Sequence, residues 1–272
     1  MVMISVDVEG VPLRNGGVDY STIVNGVPLL LDLFKESNVK ATFYVTSDAA
    51  ETTTDILREV IECGHEIGCH GYEHENLREA TLKISDNLDV MPIGFRAHHN
   101  QINERILKSL IKVGYKYDSS VVPSSRVLNR NYFPSAPQKP YHPSLYDISK
   151  YGGSPMIEVP ISTLPILRLP LGLSYIMHFG LSLYKLFLLN TNSEIMNVYL
   201  HPYDLFISPD KRKAPFYFRF MYKERGRGFQ VLRNLLLYLK EKFSPTYICA
   251  QEILNHNELV SWGGVEPPVS TM

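Results

Sequence analysis

Two histidines four positions apart, in the run His70-Gly71-Tyr72-Glu73-His74, offer the most direct chemistry in this chain. Neutral imidazole binds zinc and its first-row neighbours through a ring nitrogen, and this spacing lets both rings reach one ion from a single turn of backbone. The metalloprotease form of the pattern needs Glu directly after the first His, and Gly71 stands there instead. Two imidazoles leave a metal site incomplete, so a further ligand must come from elsewhere. Asp7 and Glu9 are a second group. Alternation along an extended chain puts both carboxylates on one side, facing one site. Taken singly, each group also fits solvated residues at a turn.

These groups fall where predicted strands end. Val2 to Val8 reads as a buried strand that delivers Asp7-Val8-Glu9-Gly10 to its tip, where α/β folds place their chemistry. Ser21 opens a helix to about Ser37 with Pro28 inside it, and Lys40 to Thr46 reads as a second strand. Ile56, Leu57, Val60 and Ile61 form the stripe of a helix over Thr54 to Cys63, stopped by Gly64. His65 to Cys69 is then a strand carrying His70. The order β-α-β-α-β predicts parallel strands with right-handed crossovers. Ile93 to Arg96 predicts a fourth strand, followed by Ala97-His98-His99-Asn100 and a helix capped by Asn103 and closed by Gly114. Lys116 to Ser120 ends a fifth strand at Asp118. Val121 to Pro155, rich in Pro, Ser, Tyr and Asn, reads as a long excursion across one mouth of the fold. Met156 to Ile161, Glu194 to Leu200 and Tyr247 to Cys249 predict further strands, with helices over Leu173 to Leu189 and around Phe229 to Leu239. Leu200 is followed by His201-Pro202-Tyr203-Asp204. No repeat or linker divides the chain, so one α/β domain over 1–272 is expected.

Composition narrows the function. With 44% hydrophobic and 20% charged residues the chain is ordinary globular protein with a sizeable core. A net charge of -1 argues against a dedicated nucleic-acid surface. Cys63, Cys69 and Cys249 form no C-x-x-C pair and are odd in number, which suits a reducing compartment. Met1 runs straight into an apolar strand without a basic region or cleavage site, so the expected location is the cytoplasm.

Polar residues at predicted strand ends are Asp7, Glu9, His70, Arg96, Asp118 and His201. They comprise carboxylates, imidazoles and a guanidinium, the inventory for metal-assisted hydrolysis of an amide or ester. In this order they resemble the polysaccharide deacetylase, or NodB-homology, family across nearly the whole chain. The acid pair is matched by Asp7 and Glu9, the H-x-x-x-H pair by His70 and His74, the arginine motif by Arg96 in Gly-Phe-Arg, the later aspartate by Asp118, and the Leu-x-His motif by Leu200-His201. The chain departs from the pattern twice. Asp7-Val8-Glu9 replaces adjacent aspartates, as in a branch reading Asp-x-Glu, and His98 stands where proline is usual.

The resemblance implies an irregular (β/α)7-type barrel that removes an N-acyl group, acetyl or formyl, from an amino sugar. It implies a divalent metal, zinc first, held by Glu9, His70 and His74. Asp7 would be the base, Arg96 would keep it ionised and aimed, and His201 would protonate the departing amine with Asp118 as its partner. Tyr72 and His98 are expected to contact substrate, although His98 could equally add a ligand or be a loop residue. The substrate is expected to be a carbohydrate or amino-sugar conjugate, lipid- or nucleotide-linked. The apolar stretch 164–189, interrupted by Arg168 and Lys185, reads either as a buried barrel helix or as a peripheral contact with the inner face of a membrane. Two other functions fit the same scaffold, an allantoinase-like hydrolase of small cyclic amides and a catalytically silent sugar-binding relative.

Overall fold

The computed structural model describes residues 1–13, 16–72, 76–189, 194–205, 227–256 and 260. Its centre is β1 (Val2–Val8), buried along its whole length, as a parallel strand covered on both faces must be. On one side β1 pairs with β9 (Met196–Leu200). On the other it pairs with β10 (Tyr247–Ile248) at its first two residues and with β4 (Ala41–Val45) from Ile4 onward. From β4 the sheet continues through β5 (Glu66–Gly71), β6 (Gly94–Ala97), β7 (Tyr117–Asp118) and β8 (Ile157–Glu158), every pair parallel. A short antiparallel hairpin, β2 (Val11–Pro12) and β3 (Val18–Asp19), follows β1.

The sheet curls until its ends meet. Past β8 the backbone still follows its neighbour, with Val159 N–H donating to Asp118 O (2.7 Å) and Ile161 N–H to Val121 O (3.0 Å). Then Ser162 N–H turns to Asn197 O of β9 (3.1 Å), and Asn197 N–H donates to the Ser162 hydroxyl (2.8 Å). The Asn197 side-chain amide completes this seam, donating to Ser119 Oγ (3.1 Å) and Pro160 O (3.2 Å), while its Oδ1 accepts from Ser5 Oγ (3.0 Å). The architecture is an irregular, single-domain (β/α) barrel of the expected class.

Helices wrap the barrel: α1 (Ser21–Ser37), α2 (Ser47–Thr52), α3 (Thr54–Glu62), α4 (Leu77–Leu88), α5 (Glu104–Val113), α6 (Leu173–Phe179), α7 (Leu181–Leu188) and α8 (Gly228–Phe243). α5 shows why sequence makes them. The Asn103 carboxamide oxygen accepts from the N–H groups of Arg105 and Ile106 (both 3.0 Å), Ile106, Leu107 and Leu110 bury one face, and Gly114 ends the helix at φ 106°.

Three local expectations need correction. The helix expected over Leu173 to Leu189 is two helices, divided at Gly180 with φ 92°. The strand expected from Met156 to Ile161 keeps ladder pairing only at Ile157–Glu158, since Pro160 has no N–H to donate. α2 and α4 had no counterpart in the sequence reading. α2 starts where Thr46 Oγ1 accepts from Ala49 N–H (3.3 Å), and α4 buries Ala80, Thr81, Ile84 and Leu88, a face diluted by a threonine. Within the stretch 164–189, Leu164, Leu171, Leu173, Ile176, Tyr184 and Leu188 are core residues. Among the described residues no helix is long and apolar enough to cross a membrane.

Candidate active site

The C-terminal tips of β1, β5, β6 and β9 converge on a cavity of about 380 Å³ lined by Asp7, Glu9, His70, Tyr72, His98 and His201, among others. Asp7 lies deepest. Arg96, wholly buried on β6, donates from Nη1 to Asp7 Oδ1 (2.7 Å), from Nε to Ser119 O (2.8 Å) and from Nη2 to Ser119 Oγ (2.8 Å), and its guanidinium lies 4.2 Å from the Tyr44 ring centre. Two charges so far from water persist only when paired and fully hydrogen-bonded. Burial opposes ionisation of Asp7, but the charges of Arg96, His70 and His201 outweigh it and hold its pKa below the ordinary aspartate value.

Glu9, one residue past the strand, places Oε2 2.5 Å from His98 Nε2 and 3.6 Å from His70 Nε2. These three donor atoms lie within 4.8 Å of one another. The other nitrogen of His70, Nδ1, is 3.0 Å from the Arg96 carbonyl. A carbonyl only accepts, so Nδ1 carries the hydrogen, and in the neutral form of the ring Nε2 presents a bare lone pair to the Glu9 carboxylate. Two acceptors facing each other in a buried pocket call for a cation between them. The second nitrogen of a metal-bound histidine is commonly fixed by just such a hydrogen bond. One carboxylate and two imidazoles are also the donor set that zinc and its neighbours accept. Burial works against the charged form of Glu9, yet the imidazoles of His70 and His98 beside it hold its pKa well below the usual glutamate value.

His201 follows β9 and points Nε2 at both acids, 3.9 Å from Asp7 Oδ2 and 3.8 Å from Glu9 Oε1. Behind it, the turn Pro202–Asp204 folds back so that Asp204 Oδ2 accepts from the His201 backbone N–H (2.8 Å) and lies 3.3 Å from His201 Nδ1. Tyr203 stacks on the His201 ring, with centres 4.4 Å apart and planes 13° off parallel, and its hydroxyl donates to Glu9 Oε1 (3.1 Å). Burial lowers the His201 pKa, but the hydrogen bond and charge of Asp204, with Glu9 and Asp7 beyond, push it up to about 9.

The structure therefore brings Asp7, Glu9, His70, Arg96, His98 and His201 together. Tyr72 packs its ring 4.4 Å from that of His98 at the cavity wall. His74 lies outside the described residues. Asp118 is elsewhere: its Oδ1 accepts from Ser120 Oγ (2.5 Å) and it forms a buried acid pair with Glu158 on β8. The carboxylate expected to hold His201 is not Asp118 but Asp204, because a residue three positions away in a tight turn needs no second strand to reach the ring. Sequence reasoning missed Asp204 and Tyr203. The signal was an acid at the third position after a residue that ends a strand, the spacing of a capping box.

The family profile described as Polysaccharide deacetylase matches residues 18–117. A peptidoglycan deacetylase of Helicobacter pylori is 32% identical over 109 residues, covering 36% of this chain and 37% of that protein, so the likeness spans little more than a third of the relative. The crystal structure of a putative polysaccharide deacetylase from Mycobacterium smegmatis superposes over 98% of this chain and 94% of its own with a TM-score of 0.62 at 18% identity. The Puue allantoinase structure shares the fold at a TM-score of 0.56 and 16% identity, covering 94% of this chain and 89% of its own. The matched profile runs from β3 to β7, so over that part the chain is similar to the polysaccharide deacetylases, and the likeness to the solved structures extends the shared fold to both ends of the barrel.

Proposed function

We propose that this protein is a metal-dependent hydrolase that removes an N-acyl group, acetyl or formyl, from an amino sugar carried on a polymer, lipid or nucleotide. The observation that carries the reading is the bare Nε2 of His70 set against the Glu9 carboxylate, with His98 Nε2 beside it. Glu9, His70 and His98 would hold the ion, zinc by the chemistry of the set, and when bound it supplies Lewis-acid polarisation of the acyl carbonyl and the attacking water.

The remaining work falls to this chain's own side chains. Asp7, kept ionised by Arg96, takes a proton from the attacking water at Oδ2, the oxygen not occupied by the guanidinium. His201, protonated at neutral pH, gives its Nε2 proton to the amine nitrogen as the C–N bond breaks. Water and amide are thus converted to carboxylic acid and amine. Asp204 stabilises the imidazolium, and Tyr203 fixes both the ring plane and Glu9. Tyr72, packed against the His98 ring, walls the cavity where the sugar would enter.

Elemental analysis of the purified protein, followed by acetate and formate release from N-acetylglucosamine oligomers and amino-sugar conjugates, tests this. Stoichiometric metal with acyl release that disappears in His70→Ala and Asp7→Asn is the expected result. Protein that takes up no zinc and releases no acyl group from any of them would refute it.

A further inference from the structure

One lip of the cavity holds aliphatic side chains out into water. Val127 is 94% exposed and Leu128, which lines the cavity, 36%; on the adjoining loop Ile166 is 88% and Leu167 42% exposed. The two loops are tied together. Ser124 Oγ donates to Arg168 O (2.5 Å) and Arg168 Nη1 to Pro123 O (3.4 Å). Ile166 has φ 64° and Arg168 φ 52°. The left-handed region is a poor place for a β-branched residue, and at Ile166 no core packing compensates, since the side chain points to solvent.

The charge around this lip is one-sided. No Asp or Glu occurs between Asp118 and Asp147 or between Glu158 and Glu194, while Arg126 and Arg130 flank Val127 and Leu128, and Arg168 follows Leu167. Lys139, in the first stretch, is paired with Glu194 (3.0 Å), and Lys185, in the second, lies over the Tyr238 ring. In a chain of net charge -1 this is segregation, not a general basic excess. Aliphatic tips flanked by guanidinium groups match an anionic bilayer interface, whose acyl boundary takes the first and whose headgroup phosphates take the second. A second copy of the chain would need about 800 Å² on each partner, more than four side chains on two loop tips supply. A sugar would more naturally meet flat aromatic faces than aliphatic knobs.

We propose that this lip docks on anionic phospholipid membranes, with Val127, Leu128, Ile166 and Leu167 entering the interface and Arg126 and Arg130 meeting the phosphates. Because Leu128 belongs to both lip and cavity, docking sets the mouth of the cavity against the bilayer. The surface is narrower than the whole stretch 164–189, which also sends Leu164, Leu171, Leu173, Ile176, Tyr184 and Leu188 into the core, and it includes residues outside that stretch. It stands independently of the hydrolase reading, since membrane binding is measured without turnover.

Flotation of the full chain with phosphatidylcholine vesicles, with and without phosphatidylglycerol, is the test. Enrichment on the anionic vesicles, falling as salt rises, is expected, with a loss of at least about tenfold in the Val127→Glu/Ile166→Glu double variant. Should that variant misfold, an Ile166→Trp chain must show a blue-shifted emission on the anionic vesicles alone. The proposal is overturned by absence of enrichment, by enrichment that the double variant retains, by an unshifted Ile166→Trp emission, or by concentration-dependent dimers that the double variant abolishes.

Discussion

Replacing Glu158 with Gln is expected to stabilise the protein, and increasingly so as pH rises. Glu158 and Asp118 are both wholly buried, and their inner oxygens already have partners: Val121 N–H donates to Glu158 Oε1 (3.0 Å) and Ser120 Oγ to Asp118 Oδ1 (2.5 Å). The outer oxygens, Asp118 Oδ2 and Glu158 Oε2, are buried without another donor among the described residues, and the two carboxyl groups interact with each other. Burial, then the charge of Asp118, raises the Glu158 pKa well above its ordinary value, so Glu158 keeps the shared proton and Asp118 carries the charge. In the unfolded chain Glu158 releases that proton near pH 4.3. Folding above that pH must take the proton back, so for each pH unit over which the folded pair retains it, stability falls by about 1.4 kcal/mol. The penalty is absent below the unfolded pKa and grows until the folded pKa is passed. Glu158→Gln keeps the oxygen that Val121 uses and puts an amide hydrogen where the proton sat. Urea unfolding of both proteins at a series of pH values from 5 to 8 isolates the acid pair, because titrating groups that do not interact with it cancel in the difference. A variant curve parallel to that of the wild type, or a variant less stable at neutral pH, would refute the shared proton.

Arg96→Met leaves the Asp7 carboxylate buried and uncompensated, which should cost about 3–5 kcal/mol in urea unfolding, with part restored by adding Asp7→Asn. Asp204→Asn removes the charge that lifts His201 to about 9. In the metal-free protein an NMR titration should show the His201 imidazole losing its proton at lower pH in the variant. The same raised pKa means that the His201 contribution to stability is complete below about pH 6.5 and disappears as pH climbs through 9. Gly94→Ala would drive a Cβ into the Tyr117 ring. That ring is held by its hydrogen bond to Glu66 Oε1 (2.6 Å), so thermal melts should show a loss of about 1–3 kcal/mol from overpacking.

The barrel was legible because its strands are short apolar runs ending in Gly or polar residues, and its long helices have clean stripes or caps, as at Asn103. α4 was not, because its buried face includes Thr81, and α2 was too short to show a period. At the site, alternation in β1 correctly predicted that Asp7 and Glu9 would share one space, since period 2 is fixed by the pleat. Pairing across the barrel is another matter. Asp118 and Asp204 are both aspartates near strand ends; the turn after β9 brings Asp204 to His201, while pairing with β8 sets Asp118 against Glu158. His98 posed the same problem. Its residue type allowed three roles, and its distance to Glu9 depends on how the turn after β6 bends back, with His99 and Asn100 both at positive φ.

Ser119 gives the seam a further meaning. Its hydroxyl accepts from Arg96 Nη2 and Asn197 Nδ2 and donates to Val159 O (2.7 Å), which exhausts its capacity. One oxygen atom thus fastens the cylinder shut and also anchors the guanidinium that aims Asp7. Any displacement of the backbone leaving β7, where the segment from Val121 begins, is carried by that hinge pin to the Asp7 carboxylate.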